Sequence, residues 1–233
     1  MKGEVIIALD FPGKKETMEF LEKFKGRKPF VKIGMELFYA EGPDIVREIK
    51  ERGHKVFLDL KLHDIPNTVK RAMSSLAGLD VDMVNVHAAG TKKMMEAALE
   101  GLTDESGNRP LLIAVTQLTS TDQQRMTDEL LIDRKIEDTV LKYAMNTKEA
   151  GLDGVVCSPL ESPAIHKCCG DDFITVTPGV RFAGGDTGDQ IRVTTPGEAG
   201  RLGSGYIVVG RPITQADDPT EAYERCMKEF GGK

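Results

Sequence analysis

Residues 57–64 read Phe57-Leu58-Asp59-Leu60-Lys61-Leu62-His63-Asp64, a run in which polar and apolar side chains alternate. A strand repeats its faces every two residues, so Phe57, Asp59 and Lys61 share one face while Leu58, Leu60 and Leu62 share the other. If the leucines meet a layer of helices, Asp59 and Lys61 project together, with Asp64 following in the next loop. An acid–base–acid array of this kind creates strong local fields, the setting in which protons are moved and developing charge is stabilised. The plainer reading is an ion pair that closes a strand end. Lys32 adds a second cation, isolated inside Val31-Lys32-Ile33-Gly34. An unpaired charge in an apolar run is costly, so Lys32 either snorkels to solvent or takes Asp59 or Asp64 as its partner.

Other strand-like runs also end in polar residues. Ala8-Leu9-Asp10 ends on a carboxylate that suits a sugar hydroxyl or a helix cap. Asn85-Val86-His87 offers pocket-lining or satisfied buried polar groups. With four histidines and no HxH or HExxH, metal ligation is the weaker reading. Thr116-Gln117-Leu118-Thr119-Ser120-Thr121 carries hydroxyl and amide groups that could read a polar base edge or cap a helix. Val209-Gly210-Arg211-Pro212 places an Arg after a Gly that permits close backbone approach, either a phosphate grip or a simple turn. Between Arg181 and Gln190 runs a Gly-rich connection, residues 182–189, which reads as a mobile lid or as an ordinary surface loop.

These residues need a scaffold that gathers strand ends. Apolar runs of strand length fall at residues 5–10, 30–34, 55–61, 81–87, 111–116, 154–158, 174–177 and 206–210. Helical spacing predicts helices over 14–25, 43–52, 68–77, 92–101, 136–150, 159–167, 195–202 and 220–230. Dividing 233 residues among eight such pairs gives about 29 each, close to a minimal strand–helix unit. The fold class is therefore α/β, a (β/α)8 TIM barrel, with residues 1–233 as a single domain. The first strand–helix turn, Asp10-Phe11-Pro12-Gly13-Lys14, has no GxGxxG, which argues against a dinucleotide fold.

Composition excludes several functions. With 40% hydrophobic residues the chain can build a core. A formal charge of -6 argues against a nucleic-acid polymer as partner, because such a site needs a basic stripe. No run approaches the roughly 18 apolar residues of a membrane span, and the start Met1-Lys2-Gly3-Glu4 has no signal-peptide character. Four cysteines without a CxxC suit reduced thiols in a cytoplasmic protein.

The segment Leu58-Asp59-Leu60-Lys61-Leu62-His63-Asp64-Ile65-Pro66-Asn67-Thr68, taken with Ala8-Leu9-Asp10, Val31-Lys32-Ile33-Gly34, Leu118-Thr119-Ser120, Thr177-Pro178-Gly179-Val180-Arg181 and Val209-Gly210-Arg211-Pro212, resembles the orotidine 5'-phosphate decarboxylase family in its compact bacterial type. DxKxxD alone indicates only a wider superfamily. Lys32 and the Asp64-Ile65-Pro66-Asn67-Thr68 continuation are more specific. The resemblance implies decarboxylation of orotidine 5'-monophosphate to UMP by a homodimer that uses neither metal nor organic cofactor. It implies Lys61, Asp59, Asp64 and Lys32 as catalytic residues. It also implies that Asp10 and Lys32 bind ribose, Thr119 the pyrimidine, and Gln190, Gly210 and Arg211 the phosphate, with Arg181 at the base of the lid. Asp64, Ile65 and Thr68 would reach into the neighbouring subunit's site. A metal-dependent member of the superfamily would need an acid on the second strand, where Lys32 stands and would repel a divalent cation. A noncatalytic phospholigand barrel would have no need of Lys61 between two carboxylates.

Overall fold

Alternate residues of the strands turn in opposite directions, one set toward the barrel interior and the other toward the helices. Ile6, Ala8, Phe30, Phe57, Met83, Ile113, Val176 and Val208 pack together on one face. Their neighbours Val5, Ile7, Val31, Ile33, Val56, Leu58, Val84, Leu112, Ile207 and Val209 join a larger cluster with the helices. Strands buried on both faces form almost continuous apolar runs, as parallel strands covered by helices do. In the computed structural model, which describes residues 3–184 and 194–231, these strands close into a parallel barrel. They are β1 (Glu4–Ala8), β2 (Phe30–Gly34), β3 (Val56–Leu62), β4 (Met83–His87), β5 (Leu111–Val115), β6 (Gly154–Val156), β7 (Ile174–Thr177) and β8 (Tyr206–Val209). Each pairs with the next, and Val5 opposite Ile207 joins β1 to β8.

The covering helices are α1 (Lys14–Glu22), α2 (Met35–Glu41), α3 (Pro43–Glu51), α4 (Pro66–Ala77), α5 (Thr91–Leu102), α6 (Gln123–Asp128), α7 (Ile136–Glu149), α8 (Ser162–Cys169), α9 (Pro196–Arg201), α10 (Arg211–Thr214) and α11 (Pro219–Gly231). Each long one buries a stripe at helical spacing. Val69, Met73 and Leu76 of α4 and Ile45, Val46 and Ile49 of α3 are examples, and a fully buried side chain of this size stabilises the fold by roughly 1.5–3 kcal/mol. Gly101 of α5 lies against the Lys70 backbone of α4, leaving no room for a Cβ.

The eight-fold alternation expected from the sequence is present, with three further α-helices among the described residues. The sequence leaves residues 35–42 unassigned, yet they hold α2, separated from α3 by Gly42 at φ 68°. The other two are α6 and the short α10. The segment at 159–167 begins as a single 3-10 turn capped by Ser158 and continues as α8 to Cys169. Among the described residues no helix is long and apolar enough to cross a membrane.

One strand departs from regular geometry. Leu58 pairs with Val84 and Leu62 with Val86, so residues 59–61 of β3 face Asn85 alone. Such a bulge bends a strand and re-aims its side chains. Lys61 takes the bend at φ 52°, a left-handed conformation that residues with a Cβ rarely adopt.

Candidate active site

Lys32 follows Val31 on β2 and points to the barrel interior, where register sets it opposite Ala8 and Phe57. Gly34, two residues on, lies opposite Asp59. A Cβ at Gly34 would lie 3.1 Å from Lys32 Nζ, so the missing side chain leaves space for the charges that meet there. Lys32 Nζ lies 3.1 Å from Asp10 Oδ1 and 3.5 Å from Asp59 Oδ2. Lys61 Nζ lies 2.7 Å from Asp59 Oδ1. The result is a chain of alternating charge, Asp10–Lys32–Asp59–Lys61, across the C-terminal ends of β1, β2 and β3. Asp64, the alternative partner for Lys32, takes no part in it. That carboxylate is exposed in the following loop, and its Oδ1 accepts a hydrogen bond from the Ile65 N–H at 2.6 Å. Asp10 caps no helix, since the N-cap of α1 is Gly13.

Asp59 is 8% exposed, while the Asp10 side chain is 61% exposed at the rim. Burial alone would push the Asp59 carboxyl up. The charges of Lys32 and Lys61, with hydrogen bonds from Lys61 and Asn85, outweigh burial and hold it below the usual carboxylate value. Asn85 joins through Nδ2, which donates to Asp59 Oδ1 at 2.7 Å, and through Oδ1, which accepts from the Lys61 N–H at 2.8 Å. Beyond it His87 and His63 bring their rings to 5.6 Å between centroids. Burial, reinforced by His63 and Lys61, pushes the His87 imidazole down, which favours its neutral form.

A cavity of about 250 Å³ opens beside the cluster. Lys32, Asp59 and Lys61 form one wall, and Gln117, Leu118, Thr119 and Ser120 after β5 form another. Asp122 rather than any of these residues caps α6, accepting from the Arg125 N–H. The remaining wall is apolar, from Val115, Val156, Cys157, Val176 and Val208. Sequence reasoning did not single out these wall residues, because an inward Val looks like any other strand Val until the barrel closes. A larger cavity of about 580 Å³ lies at the opposite end of the barrel near Gly3 and Gly205, and holds none of the cluster.

Other candidates stand around this mouth. Gly210 and Arg211 follow β8, and a Cβ on Gly210 would make ordinary contact with Ala8 and Asp10, which sets it beside the cluster. Arg181 follows a bridge between Val180 and Thr194, and its N–H donates to the Thr194 carbonyl at 2.9 Å. That bridge draws together the two ends of the long connection. Gln190 and most of the expected lid lie outside the described residues. Ile65 is 67% exposed, and Thr68, on the first turn of α4, is exposed as well. Neither lines the cavity of its own chain. Among the described residues there is no cluster of three or more His, Cys, Asp or Glu able to hold a metal ion.

A closed parallel barrel with a lysine–aspartate cluster where its strands end belongs to the class of TIM barrels that carry their sites at the C-terminal mouth. The profile of the Orotidine 5'-phosphate decarboxylase / HUMPS family matches residues 3–226, and the chain belongs to this family. Orotidine 5'-phosphate decarboxylase of Bacillus cytotoxicus is 60% identical over 235 residues, covering 100% of this chain and 99% of the relative. Among solved structures, orotidine 5'-phosphate decarboxylase from Lactobacillus acidophilus is 43% identical with a TM-score of 0.88, covering 98% of this chain and 99% of that one. An uncharacterized conserved protein from Geobacillus kaustophilus is 52% identical with a TM-score of 0.87, covering 97% and 99%.

Proposed function

We propose that the protein converts orotidine 5'-monophosphate to UMP and carbon dioxide, the last step of de novo pyrimidine synthesis. In this reading residues 1–233 form one catalytic domain, two copies form a homodimer in the cytoplasm, and the reaction uses neither metal nor organic cofactor. Its full-length relatives carry this activity in their names. The observation that carries the reading is the Lys61 ammonium, held 2.7 Å from Asp59 at the edge of a largely apolar cavity.

When the bond from C6 to the carboxyl group breaks, its electron pair remains on C6 in an in-plane orbital that the ring cannot delocalise. A fixed positive charge beside C6 stabilises that pair in the transition state far more than in the substrate. Lys61 supplies the charge and then transfers a proton from Nζ to C6, giving UMP; the neutral amine regains a proton from solvent. Asp59, its carboxyl held below the usual carboxylate value, pairs with Lys61 and repels the substrate carboxylate until it departs as carbon dioxide. Asp10 and Lys32 hold ribose hydroxyls, and Thr119 meets the pyrimidine edge. Gly210 and Arg211 take the phosphate, with Arg181 nearby. Asp64, Ile65 and Thr68 complete the site of the partner subunit, a role supported by their exposure and their absence from the lining of their own cavity.

Lys61→Ala should lower turnover by at least about 10⁴-fold, combining the loss of a transition-state charge and of a general acid. Affinity for UMP should stay within about tenfold, because phosphate and ribose contacts remain. Near-normal turnover in this variant would overturn the assignment of Lys61.

A further inference from the structure

Asn85 lies in the middle of β4, between Val84 and Val86, and is 1% exposed. It stands alone against residues 59–61 of β3, so the backbone there has no regular ladder to hold it. The Asn85 amide closes that gap with both of its ends. Oδ1 accepts from the Lys61 N–H, the group displaced by the left-handed turn at φ 52°. Nδ2 donates to Asp59 Oδ1, the same oxygen that Lys61 Nζ meets at 2.7 Å. A ring of contacts therefore runs from the Lys61 backbone through the amide and the carboxylate to the Lys61 ammonium. The ring needs one acceptor and one donor on a short side chain, and Asn is the residue that offers both. Its orientation is set by its neighbours, since a flipped amide would turn oxygen against the carboxylate and NH₂ against an N–H.

We propose that Asn85 is a positioning residue: it locks the Lys61 backbone in its turn and the Asp59 carboxylate in one rotamer, so that the ammonium is aimed before substrate arrives. The inference rests on the decarboxylase reading for its effect on rate. Asn85 is not among the residues lining the cavity, so it acts through Asp59 and Lys61 rather than on substrate.

Asn85→Ala removes both bonds. The expected result is a fall in kcat on the order of 10²-fold, the scale of a misplaced reacting group, with KM and UMP affinity within about threefold. A role in stability alone would lower the melting temperature and leave kcat per folded site unchanged. Asn85→Asp keeps the acceptor for the Lys61 N–H but sets a second carboxylate against Asp59. Around Asp59 stand Lys32 on β2, Lys61 on its own strand and His87 on β4, with Asp10 beyond Lys32 and His63 beside His87. Two carboxylates among them share a proton, so the acidic limb of the kcat profile should move to higher pH. Amide hydrogen exchange at Lys61 reads the backbone half without turnover: protection in the wild type should be lost in Asn85→Ala. Should that variant fail to fold, Asn85→Asp carries the test. Retained kcat in Asn85→Ala, an unmoved profile in Asn85→Asp, or unchanged exchange at Lys61 would each overturn the proposal. If wild type leaves orotidine 5'-monophosphate unchanged while the exchange pattern holds, the decarboxylase reading fails and the positioning role of Asn85 stands.

Discussion

Asp59 has an ammonium on each side and an amide at its back, and this arrangement decides its charge. Its carboxyl titrates below the unfolded value of about 3.9, so the native contacts add stability above that pH. The contribution is lost as pH falls through the lower folded value. Urea unfolding at a series of acidic pH values should therefore show a shallower loss of stability for Asp59→Asn than for wild type, and parallel curves would contradict the pairing. Much at this scale could be read from the sequence. Lys32 stands out because a charge inside an apolar strand must find a partner, and Lys61 because period two sets it on one face with Asp59. Asp64 was as good a partner for Lys32 on paper. Only the closing of β1 beside β2 shows that Asp10 takes that place instead. The two hydrogen bonds of the Asn85 amide were out of reach, because a strand Asn with satisfied hydrogen bonds is the ordinary outcome.

At the scale of elements, alternation carried the prediction of the barrel, since period two and helical spacing rest on residues local in sequence. Element ends were less legible. The helix α2 is only seven residues between Gly34 and Gly42, too short to show a full apolar stripe, and Leu37 alone is buried in it. The β3 bulge was invisible for a different reason. Period two sets Asp59 and Lys61 on one face in a regular strand, and the structure brings them together as well, but through a left-handed turn where the register with β4 shifts. That turn leads into the exposed segment 64–68 and the start of α4. If those residues serve the neighbouring subunit, coexpressed Asp59→Asn and Asp64→Asn chains should recover activity that neither has alone. Each mixed dimer has one intact site, so random assembly gives roughly a quarter of wild-type turnover. No recovery would mean that each chain completes its own site.

For the whole molecule, a formal charge of -6 conceals a mouth where Lys32 and Lys61 meet at Asp59, with Arg211 following β8. The global sum speaks against a polyanion, and the local arrangement suits one anionic nucleotide. A barrel of eight short units leaves little chain for anything except its loops, which is why nearly all candidate residues fall where strands end. On this reading such a site breaks a carbon–carbon bond with side-chain charge alone. Its most direct test follows the absorbance of orotidine 5'-monophosphate with the purified protein in EDTA-containing buffer. Full conversion to UMP is expected, at a rate unaffected by the chelator. Turnover that disappears with EDTA and returns with magnesium would contradict it.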